Sequence, residues 1–299
     1  MAEAMSWVSW SNPVAIWWGF LLAVSVANVG LLLLIRSCYR RSARGARALA
    51  IEPLLWLAAA YVFGCAFRSV LPRADVQRIC LFDTALSSVL VGRSVATVAE
   101  LCFVIQWAIV LRALGKLGDS DTAKTISWLI VPAIVLAEWC SWCAVITTDY
   151  LGNVVENSLW TATFLLIGFA LLRLAPRFRG AARAVIAATA AGIAGYLVFM
   201  VTVDVPLYVD RWQAQIAGGH AFLGLVAGWH DVAGHWVVAR DFTRWRHEIP
   251  WMTLYFSVAV WSSLGLAAFP LIAHLLPRYR MQHPKKAART PPLSIPVGS

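Results

Sequence analysis

Several uninterrupted apolar runs of about 20 residues dominate this sequence. The hydrocarbon core of a bilayer is about 30 Å thick, and a helix crosses it with about that many residues. The mean hydropathy is +0.70, and only 13% of the residues are charged, about half the fraction usual in a soluble domain. Too few polar residues remain to cover a water-soluble globule. The sequence therefore predicts an all-α, polytopic membrane helical bundle.

Seven transmembrane helices are predicted within a single domain, residues 14–277. They cover about 14–35, 53–72, 93–112, 126–146, 159–174, 184–203 and 251–276. The third helix has room to begin as early as Leu81, because Gly92 is the one breaker before it. Residues 1–13 are interpreted as a short retained tail, and the basic, proline-rich residues 278–299 as a disordered tail.

The basic residues give the predicted orientation. Of the 25 lysines and arginines, 17 fall on the same side as the loop between the first two helices. The positive-inside rule puts that side in the cytoplasm, so the N-terminus is expected outside and the C-terminus inside. The formal charge of +10 is thereby explained by topology, and no nucleic-acid partner is expected. A bacterial inner membrane is the favoured location.

The apolar segment 218–239 makes an eighth span possible. Counting it as a span would place the basic C-terminal tail outside, against the positive-inside rule. It is therefore interpreted as a re-entrant or interfacial segment packed against the bundle.

Acidic residues collect on the predicted outer side, with twelve of fifteen in outer segments or within spans. Acidic residues contribute little to topology, so membrane insertion does not explain this bias. We interpret it as a polar functional layer in the outer half of the bilayer. Solvated loops that all face one side are the alternative explanation.

One group of polar residues in this layer lies along the third predicted helix. If the helix is continuous, one face carries Asp83, Ser87, Ser94, Thr97 and Glu100. Glu100 lies about two turns inside the apolar run, so it needs an ion pair, a proton or a wet cavity. Arg93 lies about 10 Å away along the axis, so the two are expected to bracket a polar head group rather than touch. A buried ion pair with another helix is the alternative.

A Cys-x-x-Cys motif, Cys140 and Cys143, lies at the outer end of the fourth helix. Such a pair is redox-active when one thiol has a depressed pKa. Its placement is similar to that in membrane thiol–quinone oxidoreductases, which also need a second, shuttling pair. For that role this chain offers only Cys80 and Cys65. Two small packing residues are the alternative.

The segment 218–239 contains the third polar group. Asp231 and His235 are four residues apart and share a helix face, which suits a carboxylate-oriented imidazole or two metal ligands. His230 is the third candidate ligand, and the cofactor is otherwise unknown. His220 would lie about 16 Å along a continuous helix, so it joins a compact divalent-metal site only if the helix breaks.

The leading functional prediction is a membrane-embedded enzyme that acts on a lipid, isoprenoid or other apolar substrate. Glu100, Asp231 and His235 are the candidate catalytic residues. The candidate substrate-binding residues are Arg68, Asp83, Arg93 and Trp142. The expected partners are the lipid bilayer and an apolar or lipid-like small molecule. A seven-helix receptor or transporter for a small outer ligand is one alternative, and a thiol–quinone oxidoreductase is the other.

Overall fold

The computed structural model describes residues 8–9, 11–42 and 47–273. The predicted C-terminal tail lies outside the described residues, and so do residues 1–7 and 10 of the predicted N-terminal tail. The longer helices are α1 (Pro13–Ser42), α2 (Arg47–Val70), α3 (Val89–Leu117), α4 (Asp121–Thr147), α5 (Tyr150–Leu174), α6 (Gly180–Phe199) and α7 (Val205–Ala217). The shorter helices are α8 (Leu225–Gly234), α9 (Phe242–Trp245), α10 (Ile249–Leu254) and α11 (Val260–Ala273).

Seven helical segments are long and apolar enough to cross a membrane, which confirms the predicted number. They are Pro13–Arg41, Glu52–Val70, Val89–Leu117, Asp121–Thr147, Tyr150–Arg177, Gly180–Ala217 and Ile249–Leu271. The last two are continuous through π-helical turns, Met200–Asp204 between α6 and α7 and Tyr255–Ala259 between α10 and α11. These helices indicate a multi-pass integral membrane protein. The predicted orientation of the termini stays a prediction.

The third helix begins later than the earliest predicted start at Leu81. Ser88 has an extended backbone, and its side chain accepts a hydrogen bond from the Val91 N–H, which caps α3. Asp83 and Ser87 therefore lie before the helix, in a loop with a 3₁₀ turn at Ala85–Ser87. The predicted continuous polar face is wrong for these two residues.

Segment 218–239 forms only one helix, α8, whose ten residues extend about 15 Å and cannot cross a bilayer. The chain then continues into a two-residue strand, β3 (Val237–Val238). This strand pairs in parallel with β2 (Ile79–Cys80), which pairs antiparallel with β1 (Arg73–Ala74). The eighth span is thus not formed. A re-entrant or interfacial position for the segment stays a prediction.

The small sheet marks one end of the bundle, which we call the sheet end. It contains residues 70–89, 147–150 and 217–249. The Leu223 N–H donates to the Thr147 carbonyl, and the Arg78 guanidinium donates to the Val145 carbonyl. The Arg177 guanidinium donates to the Gly118 carbonyl at the opposite end.

Helices α4 and α5 approach each other closely near the sheet end. Gly152 lies against the Cys140 carbonyl and Ala144, and any side chain larger than hydrogen would collide with them. This contact brings the polar residues of α4 and α5 next to each other, and both helices pack beside α3.

Candidate functional site

Arg93 is the centre of a buried ion-pair cluster. Its side chain extends from the first turns of α3, and only 6% of its surface is exposed. Arg93 Nη2 lies 3.1 Å from Glu100 Oε2, 2.6 Å from Glu138 Oε2 and 3.2 Å from Glu156 Oε1. The glutamates belong to α3, α4 and α5, and all three are buried. We call these four residues the arginine–glutamate cluster.

The prediction that Arg93 and Glu100 bracket a ligand without touching is wrong, because the two side chains form an ion pair. The backbones are two turns apart, but two long side chains reach across that distance. The alternative, a buried ion pair with another helix, also forms, and it involves two other helices. Sequence reasoning did not identify Glu138 and Glu156 as partners. Each is a lone carboxylate in a mainly apolar stretch, and this was the available signal.

Neutral donors fix the position of each carboxylate. Thr97 donates to Glu138 Oε2 at 2.7 Å, and Tyr255 donates to Glu100 Oε1 at 2.8 Å. The Asn153 amide donates to Glu156 Oε2 at 2.9 Å. These contacts join α3 to α4 and to the π-helical turn before α11. Each carboxylate therefore accepts a hydrogen bond from at least one neutral donor.

Trp142, a predicted substrate-binding residue, contacts the cluster through Thr97. Its indole N–H donates to the Thr97 hydroxyl at 3.1 Å, and its ring packs on Trp229 of α8 with centroids 5.9 Å apart. The ring is therefore indirectly linked to Glu138. Its role toward a substrate stays a prediction.

The cluster has an unequal balance of charge. With every group ionised, one guanidinium would face three carboxylates, which leaves two uncompensated negative charges in a buried site. Such charge is expensive away from water, and carboxylates this close do not all ionise together. The cluster must therefore hold at least one proton or a further cation.

A resident metal ion fits this geometry poorly. Carboxylate oxygens suit hard cations, and those of Glu100, Glu138 and Glu156 lie within 4.8 Å of one another. However, Arg93 Nη2 already contacts all three glutamates, where a metal ion would have to lie. A proton is the simpler compensation for the excess charge.

A polar cavity of about 50 Å³ lies between the cluster and the sheet end. It is large enough for several water molecules. The charged and amide side chains that line it are Arg68, Arg73, Asp75, Gln77, Arg93, Asn153, Glu156, Asn157 and Glu248. Tyr208 and Trp251 add aromatic surface to its wall. The cavity thus connects the arginine–glutamate cluster with the polar residues of the sheet end.

On the far side of the cavity, two arginines share one carboxylate. Asp75 Oδ1 lies 2.7 Å from Arg73 Nε, and Asp75 Oδ2 lies 3.5 Å from Arg68 Nη1. Burial alone would raise the pKa of Asp75, but the charges of Arg68 and Arg73 outweigh it and lower that pKa to about 2. Gly92 of α3 leaves the space that the Arg73 side chain fills. We call Arg68, Arg73 and Asp75 the diarginine site.

The predicted histidine group is only partly assembled. His235 Nδ1 lies 2.8 Å from Asp231 Oδ1, so the predicted pair does meet, and Asp231 Oδ2 accepts a hydrogen bond from Arg78 Nε at 2.6 Å. His230 is exposed, and His220 contacts Thr148 instead. Within the described part of the chain, the three glutamates alone bring three possible metal-ligand atoms together. The predicted set His230, Asp231 and His235 does not.

The other predicted residues lie outside the cluster. Asp83 is exposed and accepts a hydrogen bond from the Trp236 indole at 2.9 Å. Cys140 and Cys143 lie on α4, and Cys143 is exposed. All six cysteines are free thiols. Glu138, which begins the same Glu-Trp-Cys-Ser-Trp-Cys stretch, is the residue of that motif that joins the cluster.

Two π-helical turns flank the site, a feature often found at functional sites. Tyr255 begins one of them and donates to Glu100, although its ring is partly exposed. Trp251 stacks on Tyr255 with ring centroids 4.8 Å apart. Asp204 ends the other turn, buried, with no hydrogen-bond partner for Oδ2.

These turns lie on the two sides of the boundary between α6–α7 and α10–α11, which we call the seam. Helix α6 packs on α5, whereas α11 packs on α1, α2 and α3. Among the described residues, α6 and α11 make no extensive contact with each other. Arg211 of α7 and Glu248, just before α10, close the seam near the sheet end with a 2.8 Å ion pair.

The fold and the site define a multi-pass helical membrane protein with a buried arginine–glutamate cluster below a polar cavity. In comparisons with known proteins, no family model, no curated protein and no solved structure matches the chain.

Proposed function

We propose that the protein is a membrane-embedded enzyme that carries out acid–base chemistry on a lipid, isoprenoid or other apolar substrate. The site lies in the half of the bilayer nearest the sheet end, which the positive-inside rule makes the outer half. One observation carries the proposal, namely a single buried guanidinium in contact with three buried carboxyl groups. A protonated carboxyl beside an ionised one supplies an acid and a base in one place.

The proposed roles follow from the contacts. Glu100 exchanges the proton, because Tyr255 connects it to the seam. Arg93 holds the ionised carboxylates in place and contributes to the cavity wall. Glu156 also lines the cavity, so it is the carboxyl best placed to exchange a proton with a group bound there. Asp231 and His235 stay a second candidate pair for proton transfer, and Asp231 also forms an ion pair with Arg78.

Access from the bilayer supports an apolar substrate. The seam between α6–α7 and α10–α11 is bordered by Trp251 and Tyr255, whose aromatic rings suit an apolar chain. The polar part of the substrate would reach the cavity while its apolar part stays in the seam. The cavity itself, at about 50 Å³, accommodates only a small polar group.

The test is conversion of a native lipid. Purified protein is returned to vesicles made from the lipids of its source membrane, and all lipids are followed by mass spectrometry. We expect a species that is consumed by the wild type and consumed at least about 100-fold more slowly by Glu100→Gln. The matched control is Glu52→Gln, because Glu52 is exposed at the start of α2. Equal conversion by the wild type and Glu100→Gln, or no conversion by the wild type, would contradict the proposal.

A receptor or transporter for a small ligand is the second candidate, and the small volume of the cavity favours it. In that case the wild type binds a molecule without changing it, and Glu100→Gln alters affinity rather than a product. The thiol–quinone alternative predicts loss of activity in both Cys140→Ser and Cys143→Ser. The acid–base proposal predicts that both variants keep full activity.

A further inference from the structure

Two buried arginines that line the same cavity each have an N–H group without a hydrogen-bond partner. These groups are Nε of Arg68 and Nε of Arg93, and each residue is only 6% exposed. A buried guanidinium N–H without an acceptor is costly, and native proteins rarely leave one. These two come from different helices, α2 and α3, and meet at one cavity. The arrangement calls for a group that accepts hydrogen bonds from both arginines.

Other nitrogens of the two side chains already have partners. Arg68 uses Nη1 for Asp75, at 3.5 Å, and Nη2 for the Arg73 carbonyl, at 3.2 Å. Arg93 uses Nη2 for the three glutamates. These contacts hold both guanidinium groups in place before any ligand arrives, so a ligand need not order them.

We propose that this cavity binds an oxyanion, the phosphate or carboxylate head group of the substrate, through Arg68 and Arg93. The inference rests on the proposed function, because it assigns the polar part of the same substrate. Guanidinium N–H groups recognise phosphate and carboxylate oxygens better than other acceptors, through short, charge-assisted hydrogen bonds. A cavity of about 50 Å³ holds several waters, a space comparable to one such group.

The charges around the cavity permit an anion. Arg68, Arg73 and Arg93 line it together with Asp75, Glu156 and Glu248, so the formal charges of the wall cancel. Arg211 adds a further positive charge through its ion pair with Glu248. Glu100 and Glu138 lie behind the wall and oppose an anion only while they are ionised. A proton held by the cluster therefore favours the oxyanion.

Binding is tested on the full-length protein in detergent micelles with three probes. Dodecyl phosphate represents an amphiphile with an oxyanion head, inorganic phosphate represents the free ion, and dodecyltrimethylammonium represents a cationic head of similar length. We expect dodecyl phosphate to bind and the ammonium probe not to compete with it. Binding of inorganic phosphate with equal affinity would assign the site to a free oxyanion and still support it. Competition by the ammonium probe, or no binding of either phosphate, would overturn the proposal.

Three variants localise the binding. Arg68→Gln should weaken dodecyl phosphate binding by about 10-fold to 100-fold, as expected for a lost charged hydrogen bond. The control Arg244→Gln removes an arginine at the same end of the bundle that is exposed and does not line the cavity, so affinity should not change. Asn157→Asp adds a negative charge to the wall and keeps both arginines, so it should also weaken binding. It tests the site independently if Arg68→Gln folds poorly. Unchanged affinity in both cavity variants would overturn the site.

The outcome is separable from that of the proposed function. If dodecyl phosphate binds as expected but Glu100→Gln converts lipids like the wild type, the oxyanion site stands and the acid–base enzyme fails. If Glu100→Gln loses activity but no phosphate binds, the enzyme stands and its substrate has a different head group.

Discussion

The diarginine site and the arginine–glutamate cluster both combine arginine with carboxylate side chains. Arginines outnumber carboxylates in the first, and carboxylates outnumber arginines in the second. At the sheet end, Arg68 and Arg73 share the single carboxylate of Asp75. Next to it in the bundle, the single guanidinium of Arg93 contacts three glutamates. Both arginines of the diarginine site and all four residues of the cluster are buried, and each site contributes residues to the wall of the same cavity.

This difference separates a structural role from a functional one. Asp75 is flanked by two cations, so its carboxyl is ionised and its ion pairs are complete. The cluster has more carboxylates than cations, so it needs protons whose number changes with its surroundings. A site that must take up and release protons suits acid–base chemistry. Removal of a carboxylate should therefore lower the free energy of unfolding at the diarginine site and change it little at the cluster.

The largest effect is expected from Arg93→Gln. This variant leaves three buried carboxyl groups without a cation, and breaking a buried ion pair from one side typically costs about 3–5 kcal/mol. The measurement is the free energy of unfolding by denaturant titration in detergent micelles. Arg93→Lys keeps the charge and should lose less. Equal stability of Arg93→Gln and the wild type would show that the glutamates do not depend on this guanidinium.

A matched pair of neutralisations sharpens the contrast. Asp75→Asn leaves two buried guanidinium groups without their carboxylate and should lower the free energy of unfolding by about 3 kcal/mol. Glu100→Gln removes one of three competing carboxyls, so it should change stability by less than about 1 kcal/mol. The same unfolding titration compares them. Equal losses in the two variants would remove the distinction between the sites.

Acid should destabilise the protein partly through Asp75. Its folded pKa of about 2 lies below the ordinary value of 3.8, so its contribution is present above about pH 4 and is lost as the pH falls toward 2. The contribution is on the order of 2 kcal/mol. Stability measured from pH 5 to pH 2 should fall less steeply in Asp75→Asn than in the wild type. Parallel curves would contradict a depressed pKa at this residue.

A small effect on stability is also expected from Tyr255→Phe. It removes one hydrogen bond to Glu100 and should cost about 1 kcal/mol of folding free energy. If Tyr255 connects Glu100 to the seam, lipid conversion should fall more than stability does. Unchanged conversion would place the access route elsewhere.

Much of the fold was predictable because hydrophobic run length is a strong constraint in a membrane. The seven spans follow from it, and segment 218–239 was set apart by the charge of the C-terminal tail. The start of α3 was missed, although Ser88 is a good N-cap residue. The sheet was not predictable, since strands of two residues are too short to show an alternating pattern.

The site was predicted only in part. Arg93 and Glu100 stood out because charged residues are rare in an apolar run. Their partners depend on which faces of α4 and α5 meet α3, and small residues such as Gly152 determine this through close packing rather than hydrophobic periodicity. Glu138 was assigned with its cysteine motif for the same reason.

The most direct test of the central claim is infrared spectroscopy of the carboxylic C=O stretch at neutral pH. The measurement uses an Asp204→Asn background, because Asp204 is a buried carboxyl outside the cluster and its Oδ2 has no hydrogen-bond partner. We predict a protonated carboxyl band that persists in Asp75→Asn and is lost or reduced when Glu100, Glu138 or Glu156 is changed to glutamine. A spectrum without such a band would show that all three glutamates are ionised beside one arginine, which would contradict the account.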